Sequence, residues 1–426
     1  MVNRLNIVQL SSSDKNGGAA KAAFRLNESL INFRQDSLNS FMRVSNQTDD
    51  HYSILSPKLK INKLLSTFRS ALGSYINTFQ KSHNPTKHSC CFLPSLLPQE
   101  LNNSFFDLAH IHWVQSEMIS IEGIGKIKKP KVMTLHDCWA FSGSEHFPLD
   151  LEDKRYKQGY FKSNKNINNK GLDLDRWCWN RKKKVWKKPF QLVAPSNWMA
   201  NMAKDSALMH NWPVKVIPNP LPTNVYKPFD KLLARDLLEL PIDKKLIMFA
   251  ANSGTREKRK GWDLFYKAIK YLETKLDNFE IVILGKSNPG IKLDTSIKVH
   301  YMSKLYDDIS ISCLMNAMDI VAVPSLMDVL PQVANEAQSC GIPVVAFKVT
   351  GLVDCVEDKK TGYLAEPFDY KDFAQGIIWL LNNNIEGKIS KNARDRALNR
   401  WSYEKVSYEY QNLYNEVIEG FKIKNL

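Results

Sequence analysis

Short apolar runs alternate with amphipathic stretches along the 426 residues of the chain, and the alternation occurs in both halves. Apolar runs bounded by polar or glycine-containing turns predict buried strands, and the stretches of helical periodicity between them predict helices. This order is typical of βαβ units around parallel sheets, so we predict an α/β fold. The predicted strands are Leu5–Leu10, Leu38–Arg43, Leu108–His112, Val132–His136, Leu192–Ala194, Leu246–Ala251, Ile281–Leu284, Val299–Tyr301, Ile320–Val323 and Val344–Phe347.

The proline-rich stretch Pro213–Pro228 cannot be the interior of a helix and predicts a linker between two domains. We therefore predict doubly wound parallel-sheet domains at residues 1–212 and 213–400. A C-terminal helix at 401–426 is expected to cross back to the first domain. The two sheets would face a central cleft, because such sheets bind ligands at the carboxyl ends of their strands. Other predicted helices are Gly17 to Leu30, Trp262–Lys275, Ser310–Ala317, Gln332–Cys340 and Asp372–Leu381.

The composition is that of a globular protein, with 43% hydrophobic and 24% charged residues, which excludes collagen-like and wholly disordered chains. The net charge of +15 predicts an anionic partner. The excess is local: Lys58–Lys87 carries six bases and no acid, and Lys154–Lys188 carries thirteen bases and two acids. A uniformly basic nucleic-acid surface is therefore disfavoured.

The seven cysteines form no C-x-x-C pair, which favours a reducing compartment. No apolar run is long enough for a signal-peptide core or a spanning helix. We expect a cytoplasmic protein that is soluble or peripheral on the inner face of the plasma membrane.

The acid-free segment also has apolar residues at near-helical spacing, and two interpretations remain open. Residues 58–81 could form a basic amphipathic helix on an anionic membrane surface. Alternatively, the helix packs into the core and leaves a basic edge in solvent. The apolar positions are Leu59, Ile61, Leu64, Leu65, Phe68, Leu72, Ile76 and Phe79.

Three loops carry residues suited to an anionic or hydroxyl-bearing ligand. The Gly17-Gly18 turn lets the backbone approach an anion at a helix N-terminus. Lys260, beside another helix start, suits a diphosphate. Asp328 and Glu336 follow the fourth strand of the second half, where a carboxylate can accept hydrogen bonds from vicinal hydroxyls. The alternatives are a plain turn for Gly17-Gly18, a solvated charge run for Lys260 and helix capping for Asp328. The sequence contains neither a G-x-G-x-x-G motif nor a P-loop motif.

The stretch from Asp328 to Glu336, followed by Gly341-Ile342-Pro343, resembles the E-x7-E region of glycosyltransferase family 4. The D-x-L-P-x-x-x-x-E form is similar to a branch that includes colanic-acid-type and O-antigen transferases. The family implies retaining enzymes that use nucleotide sugars and have the GT-B fold of two Rossmann-like domains. Further matching motifs are Asn16-Gly17-Gly18-Ala19-Ala20, His110-Ile111-His112-Trp113, Thr134-Leu135-His136-Asp137-Cys138-Trp139 and Val193-Ala194-Pro195-Ser196-Asn197-Trp198.

The resemblance implies a role for each matched residue. Lys260 matches the lysine that holds the donor diphosphate, and Glu336 matches the acid that binds the donor ribose. Asp328 replaces the acid at the hydroxyls of the transferred sugar, and His136 matches a histidine at that sugar. The Gly17-Gly18 backbone faces the phosphates. The expected catalytic residues are His136, Lys260 and Asp328, and the expected donor-binding residues are Gly17, Gly18, Arg256, Lys260, Asp328, Val329, Leu330 and Glu336.

The chain departs from the family at two places near the donor. Val329-Leu330 stands where Phe-Gly is usual, and Gly254 stands where a phosphate-binding arginine is common, so Arg256 or Arg259 is expected to substitute for that arginine. No metal or other cofactor is implied. Asp173-Leu174-Asp175 matches the metal-binding D-x-D pattern, but such a tripeptide occurs about once by chance in a chain of this size.

The resemblance implies transfer of a hexose from a GDP- or UDP-linked sugar to a growing surface oligosaccharide such as O-antigen, capsule or exopolysaccharide. The expected partners are the donor, a polyprenyl-diphosphate-linked acceptor and a membrane surface contacted by residues 58–81, with no nucleic acid. The alternatives are a GT-B-fold sugar-nucleotide epimerase and a basic nucleic-acid-binding protein.

Overall fold

The structure is a computed structural model that describes residues 4–57, 60–250, 257–285 and 294–424. The side chains of residues 60–63 and 385 are outside this description. The chain divides into two compact units, Met1–Asn219 together with Val406–Leu426 (unit 1) and Pro220–Lys405 (unit 2). Each unit contains one parallel sheet.

Among the described residues, unit 1 contains a sheet of seven parallel strands. Helices cover the sheet, so its central strands are almost continuously buried, as is typical of parallel sheets. The elements are β1 (Leu5–Ser13), α1 (Gly18–Arg34), β2 (Leu38–Asn46), β3 (Ile54–Leu55), α2 (Lys60–Asn77), α3 (Leu97–Asn102), β4 (Leu108–Ile111), α4 (Ile121–Lys126), β5 (Lys131–Thr134), α5 (Arg155–Gln158), α6 (Leu174–Val185), β6 (Gln191–Ala194), α7 (Asn197–Asp205) and β7 (Val214–Val216). The strand order is β3-β2-β1-β4-β5-β6-β7.

Unit 2 contains a six-stranded parallel sheet within its described residues. Its elements are α8 (Lys231–Leu237), β8 (Lys245–Ala250), α9 (Trp262–Leu272), β9 (Phe279–Leu284), β10 (Val299–Met302), α10 (Asp308–Asn316), β11 (Ile320–Val323), α11 (Gln332–Ser339), β12 (Val344–Phe347), α12 (Leu352–Cys355), β13 (Gly362–Ala365), α13 (Tyr370–Asn383) and α14 (Lys388–Trp401). The strand order is β10-β9-β8-β11-β12-β13. Short 3-10 turns lie at Thr78–Gln80, Lys258–Lys260 and Ile385–Gly387.

The last helix, α15 (Tyr403–Lys424), packs on unit 1 from Val406 onward. One face of the helix is apolar because its large residues recur at helical spacing. These side chains are buried in the same core as Leu26 and Leu30 of α1, so the expected return of the C-terminal helix to the first domain is confirmed. The buried residues of α15 are Val406, Tyr410, Leu413, Tyr414 and Ile418.

All ten predicted strands are present within the described residues; two match to the residue, and the bounds of the other eight differ. Ala251, the predicted end of the sixth strand, lies outside the described residues. The pattern missed β3 and β7, which are too short to show a period, and β13, which begins at Gly362. It also placed His136 in a strand, whereas β5 ends at Thr134 because the His136 N–H turns back to the Thr134 carbonyl at 3.1 Å. None of the described helices is both long enough and apolar enough to span a membrane.

Candidate functional site

Two of the predicted site residues are in contact at the carboxyl edge of the second sheet. β8 and β11 are neighbours although β9 and β10 separate them in the chain, so the strand order reverses between them. Open parallel sheets bind ligands at such a reversal. The Lys258–Lys260 turn follows β8 and Asp328 follows β11, and Lys260 Nζ lies 2.5 Å from Asp328 Oδ2. The topology therefore supplies a paired cation and carboxylate where a ligand is expected.

A glycine fixes the turn that carries Lys260. Gly261 has φ +72°, and a Cβ there would lie 1.8 Å from the carbonyl oxygen of Pro324. The Leu326 N–H donates to the Arg259 carbonyl oxygen at 2.8 Å. The backbone of the turn thus packs directly on the loop that leads to Asp328, which holds the two charges in register.

Arg259 supports the same loop and faces the same carboxylate oxygen. Its guanidinium donates to the Met327 carbonyl oxygen at 2.6 Å and to Glu257 at 2.5 Å, and one of its nitrogens lies 3.6 Å from Asp328. Burial alone would raise the pKa of Asp328, but the Lys260 ammonium and then the Arg259 guanidinium outweigh it and hold that pKa below its ordinary value. Asp328 is therefore ionised at neutral pH. Arg256, the other candidate for the missing arginine, lies outside the described residues.

The remaining donor-side residues follow Asp328 along the chain. Glu336 is buried, at 6% exposure, one turn into α11, with Pro331 immediately before that helix. Leu330 packs in the hydrophobic core of unit 2, so its side chain is committed to packing. Val329 is buried too, and its carbonyl oxygen would lie 1.7 Å from a Cβ at Gly351. The loop is therefore tightly constrained on both sides of Asp328.

In unit 1, the glycine turn opens α1 as predicted. Gly17 has φ +96°, and apart from its chain neighbours no atom of the described residues lies within 4 Å of the position that a Cβ would take. Gly18 begins the helix, whose first turn contains no acid, so the positive end of the helix dipole is not neutralised there. This leaves room for an anion beside the backbone.

Asp14, which the sequence analysis did not single out, anchors this turn. Its carboxylate accepts the N–H groups of Thr48 at 2.6 Å, Asp49 at 2.8 Å and Lys15 at 2.8 Å. Burial would raise the pKa of Asp14, but these hydrogen bonds outweigh burial and lower it. The charge is satisfied locally, so it holds the loop that precedes Gly17.

His136 lies just beyond β5, where a chain of buried hydrogen bonds reaches it. Its Nε2 is 2.9 Å from His112 Nδ1, and His112 Nε2 is 2.8 Å from Gln9 Oε1. Tyr414 of α15 joins the chain, 3.2 Å from Gln9 Nε2 and 2.7 Å from His110 Nδ1. Both His110 and His112 therefore have hydrogen-bond partners inside unit 1.

The hydrogen-bond directions fix the tautomer of His136. The side-chain amide oxygen of Gln9, Oε1, can only accept a hydrogen bond, so His112 Nε2 carries the proton and donates it. His112 Nδ1 must then accept, and His136 Nε2 donates to it. The second nitrogen of His136, Nδ1, is consequently an acceptor, suited to a hydroxyl group.

The histidines give unit 1 a characteristic pH dependence. Burial lowers the pKa of His136 to about 4 and holds the pKa values of His110 and His112 well below normal. Below the unfolded value of about 6.5, the unfolded chain binds protons that the folded chain does not, so stability falls as the pH drops from about 6.5 to 4, by up to about 1.4 kcal/mol per pH unit for each histidine. Thermal unfolding measured over this range should show a smaller slope for His136→Gln. His210 is exposed, so His210→Gln serves as the control. Equal slopes in wild type, His136→Gln and His210→Gln would contradict the lowered pKa of His136.

A second buried cluster lies in unit 1, formed by His88, Glu145 and Asp175. Each offers one ligand atom, and these atoms lie within 4.8 Å of one another, so the group could hold a cation. Its hydrogen bonds indicate instead that protein donors satisfy Asp175, since Gln80 and Ser144 each donate to it at 2.5 Å. Burial and the Asp175 charge raise the pKa of Glu145 well above normal, which favours a proton on Glu145.

The D-x-D acids make mostly different contacts. Asp173 caps α6 by accepting the Arg176 N–H at 3.1 Å and pairs with Arg155 at 2.6 Å. Asp175 is buried in the cluster with His88. Arg155 also lies 3.8 Å from Asp175, so the two carboxylates share that guanidinium but differ in their other contacts.

Residues 238–397 match the family described as "Glycosyl transferases group 1". D-inositol 3-phosphate glycosyltransferases from Saccharomonospora viridis and Mycobacterium bovis are 28% identical over 213 residues and 30% identical over 198 residues, respectively. The alignments cover 46% and 43% of this chain and 48% and 40% of those proteins. The chain thus spans less than half the length of the curated relatives it matches.

Solved structures share the architecture over nearly the whole chain. Sucrose-phosphate synthase from Thermosynechococcus elongatus gives a TM-score of 0.63 at 16% identity and covers 98% of this chain and 100% of its own. Anabaena HepE in complex with UDP-glucose gives 0.64 at 16%, covering 97% and 100%. A glycosyltransferase from Rickettsia africae gives 0.67 at 14%, covering 98% and 99%. The predicted GT-B fold of two Rossmann-like parallel-sheet domains is confirmed.

Proposed function

We propose that this chain, whose residues 238–397 match the family described as glycosyl transferases group 1, transfers a hexose from a nucleotide sugar with retention at the anomeric carbon. The observation that carries the proposal is the Lys260–Asp328 pair at the strand-order reversal of unit 2. A diphosphate needs a cation there, and the hydroxyls of a sugar need a carboxylate. The buried Glu336 on the next helix supplies a second carboxylate, suited to ribose.

In the proposed reaction, the acceptor hydroxyl attacks the anomeric carbon on the face from which the diphosphate departs. The bond from that carbon to the diphosphate oxygen breaks, the bond to the acceptor oxygen forms, and the leaving phosphate takes the hydroxyl proton. Lys260 stabilises the developing negative charge, as do the amides at Gly17-Gly18. His136 Nδ1 accepts a hydrogen bond from a sugar hydroxyl, and Asp328 positions the sugar.

The acceptor we propose is a growing, polyprenyl-diphosphate-linked surface oligosaccharide. The support is the resemblance to the branch of colanic-acid-type and O-antigen transferases, carried by the D-x-L-P-x-x-x-x-E form at Asp328 to Glu336. The local basic segments also suit an acceptor that bears phosphates.

A panel of UDP- and GDP-linked hexoses tests the donor class. UDP-linked donors come first because the HepE complexes hold UDP and UDP-glucose. A donor at 100 times its Kd should stabilise the folded state by about 2.7 kcal/mol, which a thermal-unfolding screen detects. The matching free sugar is the control. No stabilisation by any nucleotide sugar would contradict the proposal, and release of free sugar without an acceptor would favour an epimerase.

Chelators should leave transfer unchanged. In the proposed mechanism Lys260 and helix amides stabilise the diphosphate, so no divalent cation is needed for charge neutralisation. Transfer is measured after incubation with EDTA and gel filtration, with added Mg²⁺ as the control. Inhibition that Mg²⁺ reverses would contradict this mechanism. If Asp175→Asn were then no longer inhibited by EDTA, the cluster with His88 and Glu145 would be the metal site to test.

A further inference from the structure

Several large apolar residues of α2 in unit 1 are exposed to solvent. Leu64 is 70% exposed, Phe68 63%, Tyr75 61% and Phe79, in the 3-10 turn that follows, 43%. Their spacing places them on one face of the helix. A stripe of this size is unusual for a face left in water, because large side chains are normally buried.

The inward side of α2 is held by polar contacts and a glycine. The Arg69 guanidinium donates to the carbonyl oxygens of Leu93 at 2.9 Å, Pro94 at 2.7 Å and Glu117 at 2.8 Å. A Cβ at Gly73 would lie 2.6 Å from Glu117 Cγ, so the helix approaches closely there. These contacts fix which face turns outward. Of the two interpretations left open by the sequence, the core-packed helix does not fit the described side chains.

The second basic segment is joined to the end of this stripe. The Leu172 N–H donates to the Phe79 carbonyl oxygen at 2.8 Å, and the Gly171 N–H donates to that of Gln80 at 3.1 Å. A Cβ at Gly171 would lie 2.0 Å from the Phe79 oxygen, so this junction requires glycine. Ile167 and Leu172 are 93% and 60% exposed and extend the apolar surface. Two segments far apart in sequence thus form one surface.

The two segments that form this surface carry charges of one sign. Lys81, Lys162 and Lys170 are exposed, and residues 58–87 and 162–172 contain no acid. Other bases of the two segments are used internally: Arg69 holds α2, and Lys182 is fully buried. A second copy of the chain would bring like charges together across a shared interface.

We propose that the α2 stripe, defined as Leu64, Phe68, Tyr75 and Phe79 with Ile167 and Leu172, docks on an anionic lipid bilayer. The aromatic and aliphatic side chains would enter the interfacial region, and the surrounding lysines would contact lipid phosphates. This places α2 of unit 1 at a membrane surface. The inference stands on this surface alone and is independent of the donor chemistry.

Vesicle co-sedimentation tests the docking surface. Wild type should bind vesicles of phosphatidylcholine with about 30% phosphatidylglycerol and should bind pure phosphatidylcholine at least about tenfold more weakly. Two variants, Leu64→Ser/Phe68→Ser/Tyr75→Ser and Lys81→Glu/Lys162→Glu/Lys170→Glu, should each lose about tenfold or more in affinity for anionic vesicles. The matched control is Leu232→Ser/Leu237→Ser in α8 of unit 2, whose side chains are 61% and 63% exposed.

Thermal unfolding checks that each variant is folded, and donor binding measured without lipid keeps this inference separate from the proposed function. Unchanged vesicle binding in the variants, or equal binding to neutral vesicles, would overturn the docking proposal. So would a stripe variant that changes only self-association in gel filtration. If the wild-type protein binds vesicles but binds no nucleotide-sugar donor, the result would instead count against the proposed function.

Discussion

Replacing Lys260 with alanine should lower kcat/KM for sugar transfer by about 10²- to 10³-fold, the usual effect of removing one group that stabilises developing negative charge. Lys260 Nζ contacts Asp328 at 2.5 Å in a turn fixed by Gly261, so the ammonium is positioned before the donor arrives. Its loss removes the cation nearest the proposed diphosphate. Transfer is measured under initial-rate conditions with the donor identified by the thermal screen.

The control for this variant is Lys258→Ala, which removes an exposed lysine from the same 3-10 turn. Arg259 lies 3.6 Å from Asp328 and still faces the carboxylate when Lys260 is absent, so the fold should persist. Circular dichroism and the unfolding temperature check that expectation. Wild-type rates in folded Lys260→Ala, or an equal loss in Lys258→Ala, would remove Lys260 from the diphosphate site.

Glu336→Ala should weaken donor binding by about 10²-fold, because hydrogen bonds to a charged group contribute about 1.5 to 3 kcal/mol each. Glu336 is buried one turn into α11, where its carboxylate has a defined position. The donor Kd by calorimetry is the measurement, and Gln332→Ala on the same helix is the control.

A donor analogue sharpens the Glu336 test. Wild type should bind the 2′-deoxyribose form of the donor more weakly than the donor itself. In Glu336→Ala that difference should largely vanish, since the partner of the hydroxyl is gone. A full 2′-deoxy effect in the variant would show that another residue binds the ribose.

The sheets were accessible from sequence because parallel strands are buried on both faces and read as short apolar runs. Ile320–Val323 and Val344–Phe347 match β11 and β12 to the residue. The apolar face of α15 is also a local pattern, since Tyr410 and Tyr414 lie on it, whereas its packing with α1 is a tertiary contact. The short β3 and β7 carry too few residues for any period.

The candidate site was accessible only in part. The spacing of Asp328 and Glu336 is a local signal, but the contact between Lys260 and Asp328 joins residues 68 positions apart and depends on β8 pairing with β11. The roles of these residues stay predictions. What the fold adds is a physical reason why a cation and a carboxylate meet at that edge.

Two other features depend on tertiary packing that the sequence pattern alone does not determine. Gln9 is a polar residue between Val8 and Leu10 of β1, and its link between His112 and Tyr414 appears only when β1, β4 and α15 are packed together. The sequence could not decide whether the apolar face of α2 points outward or toward the core, because periodicity locates an apolar face but not its direction. That direction is set by tertiary contacts of Arg69 and Gly73.

The central claim is that Lys260 holds the diphosphate of a nucleotide sugar, and calorimetric titration of a nucleoside diphosphate against its monophosphate tests it most directly. The base, uracil or guanine, is chosen from the donor screen. Wild type should bind the diphosphate about tenfold or more tightly than the monophosphate, and Lys260→Ala should abolish that preference. Equal preference in wild type and Lys260→Ala would contradict the claim.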